Sequence, residues 1–144
     1  MFSKACEYAI RAVIFIADKS SQGERANLHE IANGINSPVA FTAKILQKLA
    51  KGEIIISTKG PRGGFEITNR KINKTSLADI VITIDGRSVL THCVLGLEKC
   101  TDSHPCPVHH KFLPIRNDLV AFLHQTLLKD VVTDLSMLNT FIKP

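Results

Sequence analysis

The fold of this 144-residue chain is decided by residues 58–65, Thr58-Lys59-Gly60-Pro61-Arg62-Gly63-Gly64-Phe65. Two β-prone runs flank this stretch, Ile54-Ile55-Ile56-Ser57 before it and Phe65-Glu66-Ile67-Thr68 after it. Glycine and proline in this density favour a tight hairpin, which places Lys59 and Arg62 at its tip. The sequence therefore predicts a two-stranded β-wing over residues 54–68 with a basic tip.

Two helices are predicted directly before the wing. Asn27, with a glutamate three residues later, has the pattern of a capping box and starts a short helix over residues 28–33. Ser37 suits an N-cap and Pro38 the first helical position, so a second helix is predicted over residues 38–51. Two helices joined by a tight turn let the second enter the DNA major groove, and with the wing they predict a winged helix-turn-helix.

The exposed side of the second helix and the wing tip carry the side chains that we expect to contact DNA. Residues 1–75 hold 12 Lys and Arg against 6 Asp and Glu, whereas residues 76–144 hold 6 against 7, so the basic charge lies in the front half. A basic front indicates a polyanionic partner. The predicted DNA-binding residues are Ala40, Phe41, Thr42, Lys44, Gln47, Lys48, Lys59, Arg62 and Gly63.

A second unusual stretch, residues 92–110, holds three of the four cysteines and four of the six histidines. Its glycine and two prolines disfavour regular structure, so a loop is predicted. Thiolates are soft ligands that suit iron–sulfur clusters and zinc. Cys93, Cys100 and Cys106 are therefore predicted to hold a metal centre, and with His109 they could also form a closed zinc site.

Helices are predicted outside these two regions. Residues 3–18 have amphipathic spacing, whereas residues 75–85 combine a helix-starting pattern with a β-branched run. A long helix is expected over residues 111–129 and a short tail helix over residues 132–140. The long helix carries an apolar seam with a period near 3.5, which suits packing against a partner's helix or against the chain's own core. The seam residues are Ile115, Leu119, Phe122, Leu123 and Thr126.

These elements predict a mainly α fold with a small β-wing and a long C-terminal helix, which is a dimerisation helix where its seam packs against a partner. We expect one structural domain with three regions: a DNA-binding region at 1–74, a connecting helix and cysteine loop at 75–110, and the candidate dimerisation helix with its tail at 111–144. No apolar run approaches the ~20 residues that span a bilayer, and no signal peptide is visible, so a cytoplasmic protein without a membrane partner is expected.

The chain resembles the IscR/NsrR-type family of bacterial winged-helix iron–sulfur transcription regulators. Four features carry the resemblance in order: Tyr8-Ala9-x-Arg11-Ala12, Ile45-Leu46-x-x-Leu49, Gly60-Pro61-Arg62-Gly63-Gly64-Phe65 and the three-cysteine loop. The resemblance implies a homodimer that binds a pseudo-palindromic operator in double-stranded DNA. It also implies a 2Fe–2S cluster, or 4Fe–4S as in some members, on Cys93, Cys100 and Cys106, which can be absent from the purified protein.

The resemblance implies a fourth cluster ligand but leaves two candidates. IscR-type members have a ligand histidine at the position of His109, whereas NsrR-type members use an acidic residue of the partner subunit at the position of Glu7. The implied function is a regulator whose operator affinity is set by the cluster in response to redox state, nitric oxide or cluster supply. The alternative is a cluster-free regulator with a structural zinc or a thiol-sensing loop. An enzyme is not expected, because no nucleophile is fixed beside a base and an oxyanion site.

Overall fold

The computed structural model describes residues 1–138 and 140–143. Within them, seven α-helices and one two-stranded antiparallel sheet follow the predicted class, mainly α with a small β-wing, which is confirmed. None of the described helices is long and apolar enough to cross a bilayer. The elements are α1 (Lys4–Ser21), α2 (Leu28–Gly34), α3 (Val39–Lys51), β1 (Ile56–Thr58), β2 (Gly64–Glu66), α4 (Asn69–Lys74), α5 (Leu77–Asp85), a 3₁₀ turn (Arg87–Leu90), α6 (His109–Gln125) and α7 (Leu128–Met137).

Helix α1 lies at the centre of the core. Its inner face is largely built of small side chains, and α2, α3, α5 and α7 pack around it. Small side chains allow the axes of neighbouring helices to approach closely, which a single helix in contact with four others requires. The predicted helix over residues 3–18 is confirmed, begins one residue later and continues to Ser21, with Ser3 as its N-cap.

The helix-turn-helix forms as predicted, with one correction at the start of α3. In the capping box of α2, the backbone N–H of Glu30 donates to Asn27 Oδ1 at 2.9 Å, and the Glu30 carboxylate accepts from the backbone of Asn27 at 2.8 Å. The N-cap of α3 is Pro38, not Ser37. The Ser37 hydroxyl instead lies 2.9 Å from Thr42 Oγ1, so its hydrogen bond is to a side chain of α3 and not to a backbone N–H of the first turn.

The wing forms at the predicted place with shorter strands than expected. Ser57 lies opposite Phe65 in the ladder, which runs only over β1 and β2. Ile54 and Ile55 were predicted to be in the first strand, but both are buried in the core before β1 begins. Phe65 also exchanges two backbone hydrogen bonds with Ala26, at 2.8 and 3.0 Å, which ties the wing to the loop before α2. That third contact was not predicted.

The region around α4 and α5 resolves the ambiguity of residues 75–85. The helix α5 forms, with a capping box between Ser76 and Asp79, because helix formation buries Ile80 and Val81 in the core, and this packing overrides the local preference for a strand. The short helix α4 was not predicted. Its N-cap is Thr68, whose side-chain oxygen accepts from the backbone N–H of Lys71 at 3.3 Å.

The single long helix expected over residues 111–129 is wrong, because the chain breaks between α6 and α7. At the break, the backbone N–H of Leu77 donates to Thr126 O at 3.0 Å, and the N–H of Leu128 donates to Thr75 O at 2.9 Å. These bonds to the segment before α5 replace the helical bonds that would have continued α6. The predicted tail helix starts earlier than expected, at Leu128, and ends at Met137, while position 139 of that prediction lies outside the described residues.

Candidate functional site

The cysteine-rich stretch folds into a loop between the 3₁₀ turn and α6, and it brings two of its thiols into contact. The sulfur atoms of Cys93 and Cys106 lie 3.6 Å apart, and Cys93 is buried. The turn at Gly96, whose φ is +72°, returns the chain after Cys93, and its N–H donates to Cys93 O at 2.9 Å. A positive φ is favourable for glycine, so this residue permits the reversal.

The third cysteine is paired with a histidine. Cys100 Sγ lies 3.2 Å from Nδ1 of His109, the first residue of α6. His109 is only 2% exposed, and its backbone N–H donates to Cys106 O at 3.0 Å. The helix start therefore fixes His109 beside the loop, and the three cysteines and one histidine that were predicted as ligands form two close pairs within one chain.

The environment of Cys93 favours its thiolate. The backbone N–H groups at Leu95 and Leu97 lower the pKa of the Cys93 thiol, the first being the larger effect, and hydrogen bonds from Cys106 and Cys100 act in the same direction against the effect of burial. Hydrogen bonds that stabilise the charged form are a general cause of a lowered pKa. Because metals bind the thiolate, this arrangement suits a ligand cysteine.

The donor set fits a metal centre. Two thiolates on one tetrahedral zinc or iron ion lie about 3.8 Å apart when each metal–sulfur bond is about 2.3 Å. The Cys93–Cys106 pair, at 3.6 Å, is close to that separation, and the Cys100–His109 pair is closer still at 3.2 Å. Soft sulfur with one imidazole nitrogen is a set that zinc and iron–sulfur clusters both accept.

Asp102 is a residue of this site that was not predicted. Its carboxylate accepts a hydrogen bond from Nε2 of His109 at 2.9 Å, although its own side chain is 82% exposed. The ligand atoms of Asp102, His109 and His110 all lie within 4.8 Å of one another. The sequence signal that could have identified Asp102 is its position between two candidate ligand cysteines, because carboxylates often orient ligand histidines.

Glu7, the other candidate for the fourth ligand, lies in the first turn of α1. Its carboxylate forms an ion pair with Lys4 Nζ at 2.8 Å, and this hydrogen bond lowers the pKa of the Glu7 carboxyl. Within its own chain, and among the described residues, Glu7 has no hydrogen bond or ion pair to the cysteine loop. Arg11, which could have competed for Glu7, instead lies over the ring of Tyr8 and donates to Ile35 O.

The predicted DNA-binding side chains are exposed on α3 and at the wing tip, with two exceptions on α3. Thr42 is fully buried, and its hydroxyl donates to Pro38 O at 2.9 Å, so the prediction that it faces DNA is wrong. Phe41 is half-buried and packs edge-on against Tyr8, with ring centroids 5.5 Å apart. The exposed members of the set are Ala40, Lys44, Gln47, Lys48, Lys59 and Arg62.

The wing tip is shaped by glycine and held by an arginine. A Cβ on Gly63 would lie 2.1 Å from Thr58 O, so only glycine fits at this predicted DNA-binding position. Arg25 donates from Nε to Glu66 Oε2 at 2.9 Å and from a terminal nitrogen to Arg62 O at 3.0 Å. Arg25 therefore connects the tip and β2 to the segment before α2, and sequence reasoning missed it because it precedes these two partners by 37 and 41 positions.

The predicted dimerisation seam divides into two faces on α6. Ile115 and Phe122 are 61% and 54% exposed, whereas Leu119 is half-buried. Leu123 is 1% exposed and packs in the chain's own core, so it does not present its side chain to a partner as expected. Thr126 caps the end of α6, where its hydroxyl donates to Phe122 O at 2.7 Å.

Comparison with known families identifies the architecture. The family model Rrf2, described as "Iron-dependent Transcriptional regulator", matches residues 2–134. The chain belongs to the Rrf2 family. This Rrf2 chain is 29% identical over 133 residues to the HTH-type transcriptional regulator NsrR of Oceanobacillus iheyensis, a match that covers 90% of this chain and 87% of that protein.

Two solved structures share the fold of this Rrf2 chain. The global cysteine regulator CymR of B. subtilis superposes with a TM-score of 0.75 at 22% identity, covering 92% of this chain and 96% of CymR. IscR of T. potens superposes with a TM-score of 0.73 at 15% identity, covering 97% and 91%. The predicted family and winged-helix fold are thus confirmed, and the protein is a DNA-binding transcription regulator of the Rrf2 type.

Proposed function

We propose that this Rrf2 regulator holds an iron–sulfur cluster, most simply 2Fe–2S, on Cys93, Cys100, Cys106 and His109, and that the state of the cluster sets its affinity for an operator. The observation that carries the proposal is the convergence of four soft donors in two close pairs, Cys93 with Cys106 and Cys100 with His109. A 2Fe–2S centre needs two protein ligands on each of two irons, and two such pairs meet that requirement.

His109 is supported as the fourth ligand over Glu7 of the partner subunit. Its Nδ1 already lies 3.2 Å from Cys100 Sγ within the same chain, and the start of α6 holds it there. Glu7 would have to leave its ion pair with Lys4 before it could bind elsewhere. A histidine in place of a fourth thiolate raises the potential of a cluster, which, when bound, supplies a redox-active and labile centre.

The position of His109 suggests how a change in the cysteine loop alters the affinity for DNA. His109 opens α6, the helix whose Ile115 and Phe122 are exposed and which we propose as the homodimer interface. Release of His109 frees the first turn of α6 and alters the angle between two subunits. The two α3 helices must meet half-sites of a pseudo-palindrome about 34 Å apart, so a small rotation weakens both contacts.

In this proposal the three regions keep separate tasks. Residues 1–74 read double-stranded DNA, residues 75–110 hold the cluster, and residues 111–144 bring two subunits together. Packing between α5 and α6 joins the last two regions, while α5 also contacts α1 and α3. The regions therefore form one folded unit through which a change at the loop reaches the reading helix.

The test combines spectroscopy with DNA binding. Anaerobically purified protein should be coloured, with iron and sulfide in equal amounts, and His109→Ala should lose the colour while Glu7→Gln keeps it. Gel-shift titrations with holo, reduced and apo protein should give different affinities. Equal affinities for all three states would refute cluster control, and a coloured His109→Ala with a colourless Glu7→Gln would transfer the ligand role to the partner's Glu7.

A second candidate function uses the same four donors without a cluster. The Cys93–Cys106 separation of 3.6 Å is also that of two thiolates on one ion, so this pair suits a structural zinc, to which Cys100 and His109 would have to move closer to complete the four ligands. Without metal, the same two sulfurs are close enough to form a disulfide, with two electrons passing to an external peroxide-type oxidant and both thiol protons released, which would make the loop a thiol sensor. A colourless protein with one zinc per chain, and DNA affinity independent of reductant, would support the structural zinc.

A further inference from the structure

We infer that Asp102 positions His109 for metal binding by fixing the tautomer of its imidazole, without being a ligand itself. This inference rests on the proposed function, since it concerns the same site. It assigns a task to a residue that neither the cysteine spacing nor the family match marks. The single structural relationship behind it is that the two nitrogens of His109 face different groups, Asp102 on one side and Cys100 on the other.

The hydrogen-bond chemistry of the two nitrogens leads to the tautomer. An ionised carboxylate can only accept, so the nitrogen that contacts Asp102 at 2.9 Å, Nε2, must carry the proton. A neutral imidazole has one protonated nitrogen, which leaves the lone pair on Nδ1. Nδ1 is the atom 3.2 Å from Cys100 Sγ, so the lone pair faces the cysteine site, as a metal ligand requires.

Burial makes the control by Asp102 effective. His109 is 2% exposed, so water cannot readily replace the acceptor at Nε2, and among the described residues Asp102 is its one hydrogen-bond acceptor. Asp102 itself is 82% exposed and stays solvated. In Asp102→Ala the imidazole can carry its proton on Nδ1 and donate to Cys100, so no buried N–H is left without an acceptor and the free energy of unfolding should change little. The expected effect of Asp102 is therefore on metal affinity, where such outer partners matter, rather than on stability.

The competing assignment is a cation site formed by Asp102, His109 and His110 alone. Their ligand atoms lie within 4.8 Å of one another, and the rings of the two histidines pack edge-on at 5.1 Å. In that arrangement Nε2 of His109 would bind the metal and Cys100 would have no role. The two assignments differ in their need for His110, which our inference leaves free.

The first experiment measures the tautomer directly. In the apo protein, long-range ¹H–¹⁵N correlation spectra of the histidine rings distinguish a proton on Nε2 from one on Nδ1. The native chain should show His109 protonated on Nε2, and Asp102→Ala should shift the ring toward the Nδ1–H form, which can donate to Cys100. A native His109 protonated on Nδ1, or a ring unchanged in Asp102→Ala, would overturn the inference.

The second experiment measures affinity for Zn²⁺ alone, by competition with a chromogenic chelator. Asp102→Ala should bind Zn²⁺ about 10- to 100-fold more weakly than the native chain, with Asp102→Asn in between because its amide oxygen still accepts without charge. Glu98→Gln is the matched control, since Glu98 is another exposed acid of the same loop. His110→Gln should also match the native chain, and its loss of affinity would favour the competing site.

These readouts separate the inference from the proposed function. A native chain that takes up neither cluster nor Zn²⁺ would refute the proposed function. Uptake by the native chain together with equal Zn²⁺ affinity in Asp102→Ala would refute only the role of Asp102. Urea unfolding of the apo variants completes the test, because a merely structural role would lower stability and metal affinity together.

Discussion

The carboxylate of Asp85, the last residue of α5, accepts a hydrogen bond at 2.9 Å from the backbone N–H of Ser3, which lies 82 positions earlier and caps α1. The hydroxyl of Ser3 also donates to Asp85. The same hydroxyl oxygen accepts from the backbone N–H of Cys6 at 3.0 Å. One side chain therefore joins the start of α1 to the end of α5, and a negative charge at a helix N-terminus is favourable.

We expect Asp85→Asn to lower the free energy of unfolding by about 1–2 kcal/mol, because two hydrogen bonds lose the charge of their acceptor. Urea unfolding followed by circular dichroism measures the change. Asp118→Asn is the control, since Asp118 is exposed on α6 and has no hydrogen bond among the described residues. Equal midpoints for both variants would show that the link between Ser3 and Asp85 contributes nothing.

Cys6, next to this link, should make stability depend on alkaline pH. Burial raises the pKa of the Cys6 thiol from 9.0 to about 12, and the charge of Asp85 acts in the same direction. Between pH 9.0 and about pH 12, the Cys6 thiol has lost its proton in the unfolded chain but keeps it in the folded chain. The free energy of unfolding should therefore fall as pH rises above about 9, by at most about 1.4 kcal/mol per pH unit from this group.

The comparison of native protein with Cys6→Ala isolates that contribution. The difference between the unfolding midpoints at about pH 8.5 and about pH 10.5 should be smaller in Cys6→Ala than in the native chain, because only the native chain has the Cys6 thiol that ionises on unfolding. The other three cysteines are common to both proteins and cancel. Identical pH slopes would mean that Cys6 ionises as readily in the fold as in the unfolded chain.

Much of the DNA-reading half was predictable because its signals are local. The capping box at Asn27 and the glycines of the wing each determine the conformation of a few neighbouring residues, and the structure has them in place. The break between α6 and α7 had no local signal, because the bonds that end α6 come from the segment before α5. Thr42 was misplaced for a similar reason, since its hydroxyl bonds back into the turn that precedes α3.

The cysteine site could be predicted as a set of residues but not as a geometry. Three thiols in one loop indicate a ligand cluster, yet nothing in their spacing says that His109 rather than Glu7 lies beside them. That choice depends on where α6 begins, and α6 starts at His109. Asp102 was missed because its contact with Nε2 of His109 depends on where the folded loop places the buried ring, which the residue spacing does not give.

Arg25 should support DNA binding without touching DNA. Its bonds to Glu66 and to Arg62 O hold the wing tip in place relative to β2, so Arg25→Ala should weaken operator binding about two- to five-fold by letting the tip move. The dependence of affinity on salt identifies the cause. A lost phosphate contact lowers the slope of log K against log salt by about 0.9, whereas a loosened wing leaves it unchanged.

Glu66→Gln gives a sharper version of the same prediction. Removal of a negative charge near DNA would by itself strengthen binding, but the neutral amide oxygen accepts a weaker hydrogen bond from Arg25, which should loosen the wing and weaken binding. Lys59→Ala and Arg62→Ala serve as positive controls, each expected to lower the salt slope by about one phosphate. Tighter binding by Glu66→Gln, or a reduced slope in Arg25→Ala, would show that Arg25 is a phosphate contact instead.

The two faces of α6 predict opposite consequences for neighbouring apolar residues. Ile115 and Phe122 are exposed in the single chain, so Ile115→Asp or Phe122→Asp should produce a folded monomer in light scattering after gel filtration, with operator affinity strongly reduced. Leu123 is buried in the chain's own core, and Leu123→Ala should instead cost about 2–5 kcal/mol of folding free energy. A charged residue on the exposed face removes apolar contact with a partner but leaves the core intact, so the aspartate variants should unfold cooperatively at a urea midpoint that does not change with protein concentration. Dimers that persist in both aspartate variants would place the subunit interface elsewhere on the chain.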